Sequence, residues 1–115
     1  GSAYGYSDGG AWATGSSRKF KENIEGIDAN EAIAAFKQLY PIRFNYKGIQ
    51  GDMHLGFIAE DVPEIVATRD RDAIAAMDIV TLLTRVVQEQ QKVVEQHEKT
   101  IAELKKEVSE LKKNR

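Results

Sequence analysis

From Val80 onward, apolar residues recur every seven positions. Val80, Val87, Val94, Ile101 and Val108 fall at heptad position a, and Leu83, Gln90, His97, Leu104 and Leu111 at position d. That period predicts one long helix, N-capped at Asp78 and running to the C-terminus, a rod of about 57 Å at 1.5 Å per residue. Glu107 at g and Lys112 at e of the next heptad are placed for an ion pair between parallel strands. β-Branched residues at a with Leu at d favour two strands, whereas Val86 and Val93 at g widen the apolar stripe and suit three. Gln90 and His97 are polar core layers, which usually fix register and strand number at some cost in stability. A ring of His97 imidazoles on a threefold axis is the sharper alternative, able to bind an ion or titrate near neutral pH.

Ahead of the rod the pattern is shorter and mixed. Residues 18–27 alternate irregularly and predict a strand with Ile24 and Ile27 turned inward. Asp28 to Glu31 then opens a helical pattern through Ala32, Ile33, Phe36 and Leu39, ending at Tyr40 before Pro41. Ile42 to Tyr46 and His54 to Ala59 read as the strands of a hairpin around a Gly-bearing turn at 47–52. Asp61-Val62-Pro63-Glu64 begins a short helix, 70–72 is a charged turn, and Ala73 to Met77 adds an edge strand. The expected fold class is α+β: a small sheet or hairpin with short helices, then a long C-terminal helix. Three segments follow: 1–15 as linker or remnant of an upstream unit, 16–77 as the α+β core, and 78–115 as the coiled-coil helix.

Composition narrows the classes. With 16 Lys and Arg against 18 Asp and Glu, the net charge is −2. That balance argues against a nucleic-acid or membrane-surface partner. The absence of cysteine removes disulfides and thiolate metal sites, and no apolar run reaches the roughly 20 residues of a membrane span. With no signal peptide visible, the chain reads as cytosolic where it is made. Only about 80 residues can share a core, so one small domain stabilised by oligomerisation is expected. Residues 1–15 are rich in Gly, Ser, Ala and aromatics (Tyr4, Tyr6, Trp12) with one charge, Asp8. They cannot bury a core alone, and read either as a disordered leader or as the tail end of an upstream β-rich unit. Gly1-Ser2 reads as a cloning remnant.

The chemistry-bearing stretch is Gly15-Ser16-Ser17-Arg18-Lys19-Phe20-Lys21-Glu22-Asn23-Ile24. It sets a hydroxyl after a turn-forming glycine and a lysine five positions later. Lysine is a base only when neutral, so burial or neighbouring positive charge must bring such a residue from about 10.4 toward about 7–8. In a straight strand the two side chains would lie roughly 16 Å apart on opposite faces, and on a helix about 140° apart. They can therefore meet only across a bend or between two chains. By composition alone the stretch is a Gly/Ser turn followed by solvated basic residues. His54 reads as a packed or hydrogen-bonded strand histidine, and Asn23 as a turn residue or an oxyanion donor. Glu60 and Asp61 resemble a helix start more than an acid/base pair. No phosphate loop, dinucleotide glycine pattern or metal-binding helix motif is present, and no cofactor or metal is expected.

The ordered set of Ser-(any four)-Lys with Glu22-Asn23-Ile24, then Pro41 to Tyr46, then His54 to Pro63, then the heptad helix, resembles the endosialidase-type intramolecular chaperone domain. That family consists of self-cleaving C-terminal modules of phage tailspikes, tail fibres and neck appendages, and also occurs in a eukaryotic membrane-tethered transcription factor. The resemblance covers residues 16 to 115. It implies cleavage between Gly15 and Ser16, with Ser16 as nucleophile and Lys21 as base, and the place of His54 in the family block sets it near the active site. It also implies a homotrimer, an upstream fibre or appendage segment of the same polypeptide as client, and a host cytoplasm in which virions assemble. Ser17 departs from the family, whose members usually carry Asp after the nucleophile, which bears on cleavage rate and on the choice between Ser16 and Ser17. The rival readings are a non-cleaving trimerisation stalk and an adaptor whose helix pairs with a different chain.

Overall fold

A computed structural model describes residues 5–8 and 11–115, with side chains from Gly15 onward. Gly1-Ser2 and Tyr4 lie outside the described residues. Strands β1 (Gly5–Asp8) and β2 (Ala11–Thr14) pair antiparallel, Gly5 opposite Thr14. A single 3₁₀ turn follows at Arg18–Phe20, then helix α1 (Ala29–Gln38), strands β3 (Ile42–Phe44) and β4 (His54–Gly56), 3₁₀ turns at Ala59–Asp61 and Glu64–Val66, and helix α2 (Ala76–Lys113). The long dimension is 72 Å, set by the 38 residues of α2.

Helix α1 begins where its sequence provides a cap. The Asp28 carboxylate accepts from the Glu31 backbone N–H at 3.2 Å, satisfying one of the helix's orphan donors. It ends at Gln38, because Pro41 disfavours helical backbone just before it. Its small residues Ala32 and Ala35 are buried, so α1 approaches α2 closely. The core is Ala32, Ala35, Val62, Val66, Ile79, Leu82 and Val86, flanked by Ile27, Leu39, Phe57, Ile65 and Ile74. Leu82 and Val66 are the large fully buried side chains. Truncating Leu82 to Ala in such a site costs about 2–5 kcal/mol.

The expected hairpin is present but shorter than its apolar run. β3 and β4 pair Ile42 with Gly56 and Phe44 with His54. A Cβ on Gly56 would stand 3.1 Å from the Phe44 ring, so glycine here lets the ring lie over the backbone. The connecting loop uses Gly48 at φ +76°, and the Asn45 side-chain amide donates to the Ile49 carbonyl at 3.2 Å.

Several expectations are corrected. Residues 18–27 form no strand: they hold the 3₁₀ turn and an irregular stretch in which Asn23 takes φ +54°. A left-handed residue cannot sit in a regular extended run. Ile24 is accordingly 56% exposed, and only Ile27 packs against the core. The short helix expected at Asp61 is two 3₁₀ turns separated by Val62 and Pro63, since proline supplies no N–H to continue the first. Ala73 to Met77 is no edge strand: pairing stops at one bridge, Ala67 to Ile74, and the good helix formers Ala76 and Met77 already belong to α2. Asp78 is therefore not the cap. Ala75 occupies that position without a side-chain bond, and Asp78 lies in the first turn, where its charge opposes the helix dipole's positive end. Val86 does not widen the heptad stripe, because it is buried in the chain's own core together with Ile79 and Leu82.

Candidate active site

Strand β2 ends at Thr14, and the half-buried Gly15 leads directly into the turn. Ser17 is extended (φ −62°, ψ 145°) and caps Arg18–Phe20: the Lys19 N–H donates to its hydroxyl at 3.4 Å. The Phe20 N–H donates to the Ser17 carbonyl at 3.0 Å, and the Lys21 N–H to the Arg18 carbonyl at 3.1 Å. These bonds reverse the chain within five residues. As a result Lys21 Nζ donates to Ser16 Oγ at 2.6 Å. Of the two ways in which the pair could meet, the fold takes the bend within one chain.

Both side chains are exposed in the single chain, and the Lys21 side chain donates to the Ser16 hydroxyl. Catalysis requires the reverse, a neutral amine accepting the serine proton. Arg18 and Lys19 share the turn, and Lys19 Nζ lies 5.1 Å from the centre of the Phe20 ring.

The other expected site residues are placed as follows. Asn23 redirects the backbone two residues after Lys21, the work of a turn residue. His54 begins β4 and packs in an aromatic cluster, its ring centre 5.6 Å from that of Phe44 and 5.4 Å from that of Tyr46, with Phe44 and Tyr46 edge to face at 5.1 Å. Glu60 and Asp61 lie in a 3₁₀ turn. The heptad residues line an open flank of α2: Val80, Val87, Val94, Ile101, Leu104 and Val108 are about half exposed, Leu111 is more so, Leu83 is partly buried, and Gln90 and His97 are exposed.

Two arginines that the sequence reading did not single out hold the site's surroundings. Arg85 Nε donates to the Ile27 carbonyl at 2.9 Å, fastening the segment after the dyad to α2. Arg71 donates to the Glu60 and Val62 carbonyls at 3.2 and 2.8 Å and pairs with Glu64 at 2.9 Å, tying both 3₁₀ turns together. Neither bond has a sequence signal, because each joins a side chain to a distant carbonyl.

Among the described residues no helix is long and apolar enough to cross a membrane. Comparison with curated proteins and with solved structures returned no match. A family model does match: residues 16–71 fit Peptidase_S74, described as chaperone of endosialidase. The match starts at Ser16, takes in Lys21, the hairpin and both 3₁₀ turns, and ends at Arg71, which locks those turns. Residues 16–71 thus match the family model of the chaperone of endosialidase.

Proposed function

We propose that this chain is a C-terminal intramolecular chaperone that trimerises through α2, registers an upstream β-rich fibre or appendage segment, and releases itself by cutting between Gly15 and Ser16. The observation that carries the reading is the 2.6 Å contact of Lys21 Nζ with Ser16 Oγ, directly after Gly15. Neutral Lys21 removes the Ser16 hydroxyl proton, and Oγ attacks the Gly15 carbonyl carbon. The amide between Gly15 and Ser16 breaks as the proton passes from Lys21 to the leaving nitrogen, leaving a Gly15 ester on an oxygen of serine. Water, deprotonated by the same amine, hydrolyses that ester and returns the proton to Oγ. The products are a Gly15 carboxylate and a chain beginning at Ser16 with a free amine.

Fibre strands that intertwine make nonlocal contacts and fold slowly. A parallel coiled coil beside them raises their local concentration and sets their register. Assembly would also desolvate Lys21, so that cutting follows trimer formation. The finished fibre is then held by its unfolding barrier. On this reading the work is done in the host cytoplasm during virion assembly, and the fibre part remains in the virion.

The test is mass spectrometry of freshly expressed protein carrying an upstream segment. A fragment beginning at Ser16 is expected from the unaltered chain. Ser16→Ala and Lys21→Ala should each abolish it, and so should Lys21→Arg, since a guanidinium stays charged. Efficient cutting by Ser16→Ala would overturn the dyad. No cutting by the unaltered trimer would leave a trimerisation stalk.

A further inference from the structure

We infer that Ser17 is a positioning residue for the proposed cleavage, and not a second nucleophile: its hydroxyl caps the 3₁₀ turn that carries Lys21 back to Ser16. The inference rests on the dyad reading above. Three hydrogen bonds close the reversal, and Ser17 takes part in two of them. Its carbonyl accepts from Phe20 N–H at 3.0 Å and its hydroxyl from Lys19 N–H at 3.4 Å, while Arg18 and Lys21 make the third.

The geometry separates the two serines. Ser16 Oγ is the one within 2.6 Å of the lysine nitrogen, whereas the Ser17 hydroxyl is engaged by the turn's own backbone. A residue with extended backbone whose side-chain oxygen accepts from the N–H two positions on is an N-cap, a role that Ser, Thr, Asp and Asn fill and Ala does not. Residues that can fill position 17 are thereby defined by capping ability. At 3.4 Å the serine bond is long. A carboxylate at this position would make a charge-assisted bond to the same N–H and hold the reversal more firmly.

The experiment compares Ser17→Ala, Ser17→Thr and Ser17→Asp in the full chain carrying its upstream segment. Each is made in cell-free synthesis, and the fragment beginning at Ser16 is followed over time by mass spectrometry. Loss of a cap is expected to slow cutting about fivefold in Ser17→Ala. Ser17→Thr should restore the rate and Ser17→Asp should match or exceed that of the unaltered chain. Each change is also placed in the Ser16→Ala background, where equal melting temperatures are expected for the uncut trimers. Undiminished cutting by Ser17→Ala would overturn the role. So would a slowing that Thr and Asp fail to rescue, or one that accompanies a lowered melting temperature. Failure of the dyad reading looks different: there Ser16→Ala cuts, and the new chain begins at Ser17.

Discussion

Arg71 shows how much of this small core depends on one side chain at its edge. It stands between Asp70 and Asp72 in a surface turn, with its own backbone at φ +50°, yet its guanidinium holds two carbonyls and a carboxylate on two successive 3₁₀ turns. Val62 between the turns and Val66 in the second are both core residues. An ammonium cannot span three acceptors in that fork geometry. Arg71→Lys is therefore expected to lower the stability of the uncut protein by about 1–2 kcal/mol, and Arg71→Ala by somewhat more. Chemical denaturation in the Ser16→Ala background reads both. A Lys variant as stable as the parent would show that the carbonyls find other donors. The exposed Glu64 partner contributes less than the carbonyl contacts, because its side chain is 93% exposed.

Among the elements, the irregular stretch from Lys21 to Asp28 connects the dyad to the core, and it is held by the bond from Arg85 to the Ile27 carbonyl and by the packing of the Ile27 side chain against the core. Arg85 also pairs with Glu89 at 3.4 Å, one helical turn on. Arg85→Ala should leave α2 helical but free this stretch, and cutting should slow without loss of assembly. Cleavage kinetics with light scattering of the same sample measure both, and an unchanged rate would mean that the 3₁₀ turn alone holds the dyad. What was legible in the sequence follows the same division. The Asp28 cap, the apolar spacing of α1, the hairpin and the heptads of α2 were readable because each is a local pattern with a period or a capping residue. The strand expected at 18–27 and the edge strand at 73–77 failed because irregular alternation also fits a turn and a helix start. The dyad's spacing could be read, as could the need for a bend, but not which bend. That depended on the Ser17 cap and on Asn23 turning left-handed, neither of which has a periodic trace.

As a whole molecule, the single chain is left with much apolar surface uncovered. From Gln90 to Arg115 every residue is exposed, including Ile101 at 51% and Leu111 at 67%. A groove of about 720 Å³ lies between the hairpin and the start of α2, lined by Phe44, Tyr46, Leu55, Ile58, Ile74 and Val80, with Leu55 79% exposed. Exposed apolar surface on this scale marks an interaction face, and the groove meets the heptad flank at Val80. If assembly both buries this flank and activates Lys21, then changing Val94 and Ile101 together to Asp should abolish trimers and cutting at once, since it sets unpaired charge in the rod's core. Both residues lie outside the chain's own core, so circular dichroism should still report a folded monomer. A monomer that cuts itself would mean that one chain contains a complete active site.

Helix α2 divides its circumference between two tasks. Ile79, Leu82 and Val86 face the chain's own core, while the heptad residues occupy the adjoining flank. In a symmetric coil the second flank fixes how each helix is turned about its long axis, and the first then fixes the azimuth at which its small domain projects. Arg85 carries that angle to Ile27, and the irregular stretch carries it on to Gly15. Three copies would therefore present their upstream ends as equivalent points about 120° apart around one axis. A slip in register along the rod would be felt at the proposed cleavage site as a rotation as well as a shift, so the proposed cutting would be sensitive to the phase of the coil as well as to its existence.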